Sequence, residues 1–268
     1  MKKLRFKFGQ NWQEYNSSIS ADRIEAAQIG ILKLLNPIEI LDKNIVDIGS
    51  GSGLHALSFL KLGAKEVTCI DIDADSITAT KETLKKFAKK IENWEAFESD
   101  ILNPVALTPN SFEIVYSWGV LHHTGNMKLA VKNASQLCKV GGLFVFALYR
   151  KTFLCNFWKI EKWFYIRSPL VIKKLLEYVY VVLFLFGKIL KRDNVVRFIR
   201  SYETQRGMKF NTDVKDWLGG YPYESIRPMD VEKILVELGF EKVRDFVEPK
   251  SIGLFGSGCD EYVFRRIK

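Results

Sequence analysis

The sequence predicts an α/β fold, a doubly wound and mostly parallel sheet of seven strands with a helical cap insertion. Three observations lead to this prediction. Short apolar runs of strand length alternate with amphipathic helical segments, and a strand, a glycine-rich turn and a helix follow one another at residues 45–62. A segment of 77 residues, 151–227, then interrupts the alternation. A chain of 268 residues is long enough for one such domain with an insertion.

The first strand, residues 45–48, leads directly into a turn that contains Gly49, Gly51 and Gly53, and a helix is predicted over residues 54–62. Glycine removes side chains where a ligand lies against backbone, and it permits dihedral angles that other residues avoid. The free N–H groups at the start of the helix point to the same place. This geometry at the carboxyl end of a strand predicts a cofactor site.

Spacing indicates the kind of cofactor. In the dinucleotide motif G-x-G-x-x-G the third glycine comes one residue later than Gly53, and Leu54 stands in its place. A nucleoside with a charged amino-acid tail is therefore favoured over a dinucleotide. The second strand, residues 65–70, ends at Asp71, whose carboxylate can accept hydrogen bonds from both ribose hydroxyls. The third, residues 94–98, ends at Ser99 and Asp100, where a carboxylate can accept from an exocyclic amine.

Four segments, residues 46–53, 70–73, 99–100 and 117–124, resemble in order and spacing the motifs of the class I S-adenosylmethionine-dependent methyltransferases. The resemblance covers roughly residues 40–150, and within the family it is greatest to the small-molecule branch with the quinone-biosynthesis methylases. It implies S-adenosylmethionine as cofactor, a Rossmann-like sheet with strand order three-two-one-four-five-seven-six, and an antiparallel last strand. It also implies a set of cofactor-binding residues: Asp47, Gly49, Ser50, Gly51, Gly53, Asp71, Ile72, Asp100, Ile101 and Trp118.

The remaining elements follow from periodicity and end signals. Helices are predicted over residues 75–91, with Asp73 or Asp75 as N-cap, over 127–137, with Gly141 and Gly142 ending the helix, and over 228–238. Strands are predicted over 112–117, 143–148, 241–247 and 260–265. The chain is thereby divided into an N-terminal helical segment (1–40), a cofactor-binding core (41–150), a cap insertion (151–227) and a C-terminal part that completes the sheet (228–268).

The cap insertion is basic and aromatic. It holds 15 Lys and Arg against 7 Asp and Glu, and 16 of the 35 aromatic residues of the chain. A helix is predicted over residues 170–190, but its uncharged stretch between Glu177 and Lys188 has only ten residues, whereas a membrane-spanning helix needs about 20. Three interpretations stay open: a cap helix packed on the core, an interfacial helix on an anionic membrane, and an RNA-binding surface. The first two are compatible.

Methyl transfer requires an acceptor beside the sulfonium and, when the acceptor has a proton of high pKa to lose, a general base. His122 and His123 follow the fourth strand and are the candidate catalytic pair, although both could instead shape the loop through hydrogen bonds. The same edge of the sheet, the N-terminal segment and the double-glycine loop late in the cap supply the candidate acceptor-binding residues: Trp12, Tyr149, Trp217, Tyr221, Tyr223 and Glu224.

The favoured function is O-methylation of a small hydrophobic or lipid-linked acceptor, with C-methylation as a variant. No Asn- or Asp-Pro-Pro-aromatic segment follows the fourth strand, which argues against methylation of exocyclic amino groups of nucleobases, and no Pro-Cys pair follows it, which argues against C5 methylation of cytosine. No DNA partner is expected. No metal site is expected, because no His, Cys and carboxylate cluster is present. An RNA methyltransferase that uses the basic cap, an NAD-dependent oxidoreductase and a non-catalytic cofactor-binding protein remain alternatives.

The basic N-terminus lacks a following apolar run, so a cytoplasmic protein, peripheral at the membrane, is expected.

Overall fold

The computed structural model describes Gly9, Trp12, Asn16 and residues 19–89, 91–190, 192–206 and 210–268, without the side chains of 203–206. Its described part contains one sheet of seven strands in the order β3-β2-β1-β4-β5-β7-β6. Strand β7 is antiparallel to β5 and β6, and the other pairs are parallel. The predicted strand order and antiparallel last strand are thus confirmed. The strands are β1 Asn44–Ile48, β2 Glu66–Asp71, β3 Trp94–Glu98, β4 Phe112–Trp118, β5 Cys138–Tyr149, β6 Phe240–Phe246 and β7 Cys259–Arg266.

Helices cover both faces of this sheet, as expected for a doubly wound fold. One apolar core lies around Phe59 and Tyr116, and the other lies around Phe144 and Phe146 on the opposite face. The described helices are α1 Ala21–Leu34, α2 Pro37–Ile40, α3 Leu54–Lys61, α4 Ala74–Phe87, α5 Met127–Leu137, α6 Cys155–Arg167, α7 Leu170–Leu190, α8 Val195–Arg206, α9 Phe210–Gly219 and α10 Pro228–Glu237.

Two predicted boundaries were wrong, the end of α4 and the start of β5, which begins at Cys138 rather than at residue 143, and so was the expected end signal of α5. Helix α4 ends at Phe87 rather than at residue 91. Helix α5 has the predicted bounds, but Gly141 and Gly142 do not end it, since β5 begins directly after the helix and contains both glycines. The pairing of β5 with β4 shifts its register there, and a Cβ on Gly142 would lie 2.8 Å from the carbonyl oxygen of Glu113. The glycines therefore allow the register shift between β4 and β5, where the two backbones approach closely.

The cap consists of α6, α7, α8 and α9, which pack around Trp158, Tyr180 and Trp217. Both ends of the insertion meet at the sheet. Arg150 and Ile226 form a parallel bridge, and the backbone N–H of Lys151 donates to the Ile226 carbonyl at 2.9 Å. Within the described residues, no helix combines the length and the apolar content that are needed to cross a membrane. The cap is thus a helical layer between β5 and α10.

Candidate cofactor and acceptor site

Hydrogen bonds join the glycine turn after β1 to the end of β2. The N–H groups of Gly49 and Ser50 donate to the carbonyl of Ile70 at 2.7 and 3.1 Å. The N–H of Gly51 donates to Oδ2 of Asp71 at 3.2 Å, and the N–H of Asp73 donates to Oδ1 of the same carboxylate at 2.9 Å. The structure therefore brings the first two sequence motifs together at one edge of the sheet, as predicted.

The glycines of the turn do not share one role. Gly53 has φ +76°, and a Cβ there would lie 2.9 Å from Cα of Thr80, so this glycine permits contact between the turn and α4. A Cβ on Gly49 would meet the side chain of Val120 at 2.4 Å. Only Gly51 presents its missing side chain to the outer side, where the ring of Trp12 lies 3.0 Å from the position of a Cβ. Cofactor binding by the backbone of these three glycines stays a prediction.

Asp47 lies behind the turn and is 2% exposed. The N–H of Ala56, in the first turn of α3, donates to its carboxylate, and Oδ2 has no hydrogen-bond partner in the described part of the chain. Burial, and next the charge of Asp71, raise the pKa of Asp47 to about 7. Burial likewise raises the pKa of Asp71 to about 6. A buried carboxylate oxygen without a partner is costly, and a cationic ligand would offset this cost.

These residues fit S-adenosylmethionine, a cationic nucleoside. Asp71 stands at the strand end where a ribose would lie, Gly51 would provide bare backbone, and the Asp47 carboxylate would provide negative charge for the ammonium group of the amino-acid tail. Ser50 is 7% exposed and its hydroxyl lies 2.9 Å from that of Thr80, so it holds the turn to α4.

The other residues of the predicted cofactor-binding set lie in different environments. Asp100 follows β3, and its Oδ1 accepts from the N–H of Leu102 at 2.9 Å, while Ile72 is exposed at the same edge. Ile101 is 5% exposed and packs in the core around Phe144. Trp118 ends β4, and its indole N–H donates to Glu261 on β7 at 2.8 Å. Trp118 therefore turns towards β7, and the structure does not bring it to Asp71 and Asp100.

The two histidines lie in a short 3₁₀ turn after β4, two residues beyond the valine that covers Gly49. His122 is fully buried; its Nδ1 accepts from the N–H of Tyr149 at 3.3 Å, and its Nε2 has no hydrogen-bond partner among the described residues. His123 Nδ1 lies 2.8 Å from the carbonyl oxygen of Pro222. Burial lowers the pKa of His122 well below its usual value and that of His123 to about 4. Both imidazoles are therefore neutral at pH 7.

The inner face of the cap closes over these histidines. The ring of Tyr149 lies 3.9 Å from that of His122 and 5.3 Å from that of Tyr223. The ammonium group of Lys162 on α6 lies 5.3 Å from the centre of the Tyr223 ring and donates to the carbonyl of Trp217. The structure thus groups three of the predicted acceptor-binding residues with both histidines. This grouping, formed by His122, His123, Tyr149, Lys162, Trp217 and Tyr223, is called the acceptor cluster below.

Lys162 was missed by sequence reasoning. It is 5% exposed, burial lowers its pKa to about 8, and Glu161 lies 3.9 Å away. The sequence does contain a signal for this residue, because Cys155, Trp158, Lys162 and Tyr165 follow one another at helical spacing. In the structure all four side chains are buried. A lysine on the apolar stripe of a helix indicates a buried cation.

Three other predicted residues have contacts of a different kind. Glu224 accepts from the N–H of Met127 at 2.8 Å, which joins the late cap loop to the start of α5. Tyr221 is half-buried and precedes Pro222 in that loop. Trp12 lies on Gly51, and the N–H of Gly9 donates to Asp73 at 3.1 Å, so these two described residues lie beside the first two sequence motifs. Acceptor binding by these residues stays a prediction. No group of three or more metal-ligating side chains occurs in the described ranges.

A family model described as a methyltransferase domain matches residues 46–144. The ribosomal protein L11 methyltransferase of Alteromonas mediterranea is 46% identical over 55 residues, which are 20% of this chain and 19% of the relative. The chain thus matches about a fifth of the length of these curated relatives.

Two solved structures share the fold. Magnesium protoporphyrin IX methyltransferase of Synechocystis PCC 6803, crystallised with S-adenosylhomocysteine, has a TM-score of 0.55 at 13% identity and covers 92% of this chain and 84% of its own. An S-adenosylmethionine-dependent methyltransferase assigned in Listeria monocytogenes has a TM-score of 0.55 at 14% identity and covers 91% of this chain and 100% of its own. The two structures and the strand order show the fold of the chain, and the family model, with the four motifs, identifies residues 46–144 as a methyltransferase domain of the class I, S-adenosylmethionine-dependent kind.

Proposed function

We propose that the chain methylates the hydroxyl oxygen of a small hydrophobic or lipid-linked acceptor that binds beneath the cap. The observation that carries the proposal is the acceptor cluster. It offers aromatic walls, one ammonium group and the buried Nε2 of His122, which has no hydrogen-bond partner in the described part of the chain. A site with mostly apolar walls and few polar groups suits a ligand with an apolar body and one polar group.

The cluster also adjoins the cofactor site. Val120 packs against Gly49 of the glycine turn, and His122 follows two residues later. S-adenosylmethionine would supply an activated methyl group when bound, and the acceptor hydroxyl would give up its proton to one of the two neutral imidazoles. Positioning and exclusion of water supply much of the rate in such a transfer, and the buried cluster favours both.

The polar groups of the acceptor cluster have different roles in this proposal. Because a carbonyl oxygen only accepts hydrogen bonds, the contact with Pro222 indicates that His123 donates from Nδ1. We assign the buried Nε2 of His122, which has no hydrogen-bond partner among the described residues, to the contact with the acceptor hydroxyl. The Lys162 ammonium stabilises negative charge that develops on the acceptor oxygen.

The test is transfer of a labelled methyl group from S-adenosylmethionine to three cell fractions: lipids, RNA and protein. We expect label in the lipid-soluble fraction with the native chain and none with Gly51→Val. Lys162→Met, which keeps the aliphatic stem and removes the charge, should reduce the transfer at least about tenfold, whereas Lys132→Met on the exposed side of α5 should not. Label in RNA or protein instead, or in no fraction, would overturn the assigned acceptor class.

A further inference from the structure

The outer side of the cap exposes a long apolar helix face. In α7, a helix of 21 residues, only Tyr180 is buried. The exposed side chains of α7 are apolar apart from one lysine, Lys174, and Val171 and Tyr178 are 77% and 68% exposed. At 1.5 Å per residue this face is about 30 Å long. The apolar members are Leu170, Val171, Leu175, Tyr178, Val179, Val182, Leu183, Phe186, Ile189 and Leu190.

Helix α6 extends the same kind of surface. Phe157, Ile160 and Phe164 recur at helical spacing and are 58%, 67% and 50% exposed, opposite the stripe that holds Lys162. The two helices are in contact, because the hydroxyl of Tyr165 on α6 donates to Glu177 on α7 at 2.5 Å. We call the exposed apolar side chains of α6 and α7 together the apolar cap face. Exposed apolar surface on this scale marks an interaction site.

Positive charge surrounds this face. Residues 155–200 contain 10 Lys and Arg against 3 Asp and Glu. Lys159, Arg167, Lys174, Arg192, Arg197 and Arg200 are all exposed. The three acidic residues are largely neutralised within the cap: Glu161 is next to Lys162, Glu177 accepts from Tyr165, and Asp193 pairs with Lys188 at 3.0 Å. The rim of the apolar cap face is therefore strongly basic.

From this arrangement we propose that the apolar cap face docks on the surface of an anionic lipid bilayer. Apolar side chains enter the boundary between head groups and acyl chains, and the basic rim meets the anionic head groups. A second copy of the chain is a poorer occupant, because a two-fold interface would oppose the same basic rims. The helices lie along the surface rather than across it, since the inner side of α7 packs on Trp158 and Trp217 through Tyr180.

The face and the acceptor cluster lie on opposite sides of α6. Phe157 and Ile160 point outwards, whereas Trp158 and Lys162 pack inwards, where Lys162 contacts Tyr223. One helix diameter, about 10 Å, therefore separates the docking surface from the acceptor cluster. The docking does not depend on methyl transfer, but it gives a lipid-linked acceptor a short route to the proposed site.

The test is co-sedimentation with vesicles of phosphatidylcholine alone or mixed with phosphatidylserine, at low and high salt. We expect the native chain to pellet with the anionic vesicles only, and less at high salt because ions screen the attraction. Leu183→Asp and Ile160→Asp should weaken binding at least about tenfold. Val105→Asp is the matched control, because Val105 is 85% exposed in the connection between β3 and β4, and it should bind as the native chain does.

Thermal unfolding followed by circular dichroism shows whether each variant keeps the native fold, and cofactor binding by calorimetry shows whether the methyltransferase domain is intact. Failure of the native chain to pellet with anionic vesicles would overturn the proposal. Equal loss of binding in Val105→Asp would do so too. A dimer in sedimentation equilibrium that Leu183→Asp dissociates would assign the face to a second copy instead.

Discussion

Gly51 and Asp71 are joined by a hydrogen bond of 3.2 Å between the glycine N–H and Oδ2 of the carboxylate. The bond links the turn after β1 to the end of β2, two positions that are 20 residues apart in the chain. It leaves Asp71 partly exposed at the sheet edge, where the remaining acceptor capacity of the carboxylate faces a ligand. A cofactor ribose at this place would meet a preformed group rather than one that must first be ordered.

Replacement of Asp71 by alanine should weaken S-adenosylmethionine binding by about 1.5 to 3 kcal/mol, the scale for lost hydrogen bonds to a charged group. Isothermal titration calorimetry measures this effect. Glu66→Ala removes an exposed carboxylate at the opposite end of β2 and should leave the affinity unchanged. An Asp71→Ala protein with native affinity would show that the ribose lies elsewhere.

Gly51→Val should abolish cofactor binding, because a β-branched side chain at φ +55° would project to the side that Trp12 covers. The control is Gly30→Val in α1, where a Cβ would meet no atom within 4 Å. Calorimetry and thermal unfolding together separate loss of binding from loss of fold. Native binding by a folded Gly51→Val protein would move the cofactor away from the glycine turn.

Gly53→Ala should act on stability instead. The new Cβ would lie 2.9 Å from Cα of Thr80 at φ +76°, and the strain and overpacking together cost about 2 to 4 kcal/mol. Gly119→Ala has a similar φ of +77° but open space around the Cβ, so only the conformational cost of about 1 to 2 kcal/mol remains. Urea unfolding measures both variants, and equal losses would rule out the packing role of Gly53.

His122 should make the folded state sensitive to acid. Burial keeps its pKa well below the value of about 6.5 in the unfolded chain, so the unfolded state binds a proton first as the pH falls. The stability that depends on the neutral imidazole is present above pH 6.5 and is lost as the pH falls below it.

The size of this loss can be measured. Between pH 6 and pH 5, the free energy of unfolding of the native chain should fall about 1 kcal/mol per pH unit more steeply than that of His122→Gln. Urea unfolding at several pH values gives both slopes. Parallel curves would mean that His122 is protonated in the folded state as easily as in the unfolded state.

Much of the fold could be predicted because it depends on local patterns. Apolar runs with strand length marked the sheet, and the turn around Gly51 with Asp71 at the next strand end marked the cofactor edge. Other features depend on contacts between distant segments. The start of β5 is set by pairing with β4 around Glu113, and the direction of Trp118 is set by Glu261 on β7. Neither partner is indicated by the residues nearby in sequence.

The acceptor cluster was only partly predictable for the same reason. His122 and Tyr149 lie at strand ends and could be selected from sequence, but Lys162 takes its place through α6 and the late cap loop. Its burial follows from packing against Tyr223 and Trp217, which are more than fifty residues away. Helical periodicity identifies the buried side of α6, whereas the partner of that side requires the fold.

The bridge between Arg150 and Ile226 has a consequence for how this architecture diversifies. Because the cap leaves and re-enters the sheet at adjacent positions, recombination can exchange the residues between Lys151 and Ile226 as a cassette, which keeps the bridge and the register of β5 and β7. Long insertions at such a junction add little closure entropy, so the sheet tolerates cassettes of different length. A chimaera with the cap of another protein would keep its cofactor site and bind a different set of acceptors. This junction is therefore a suitable place to exchange caps in enzyme engineering.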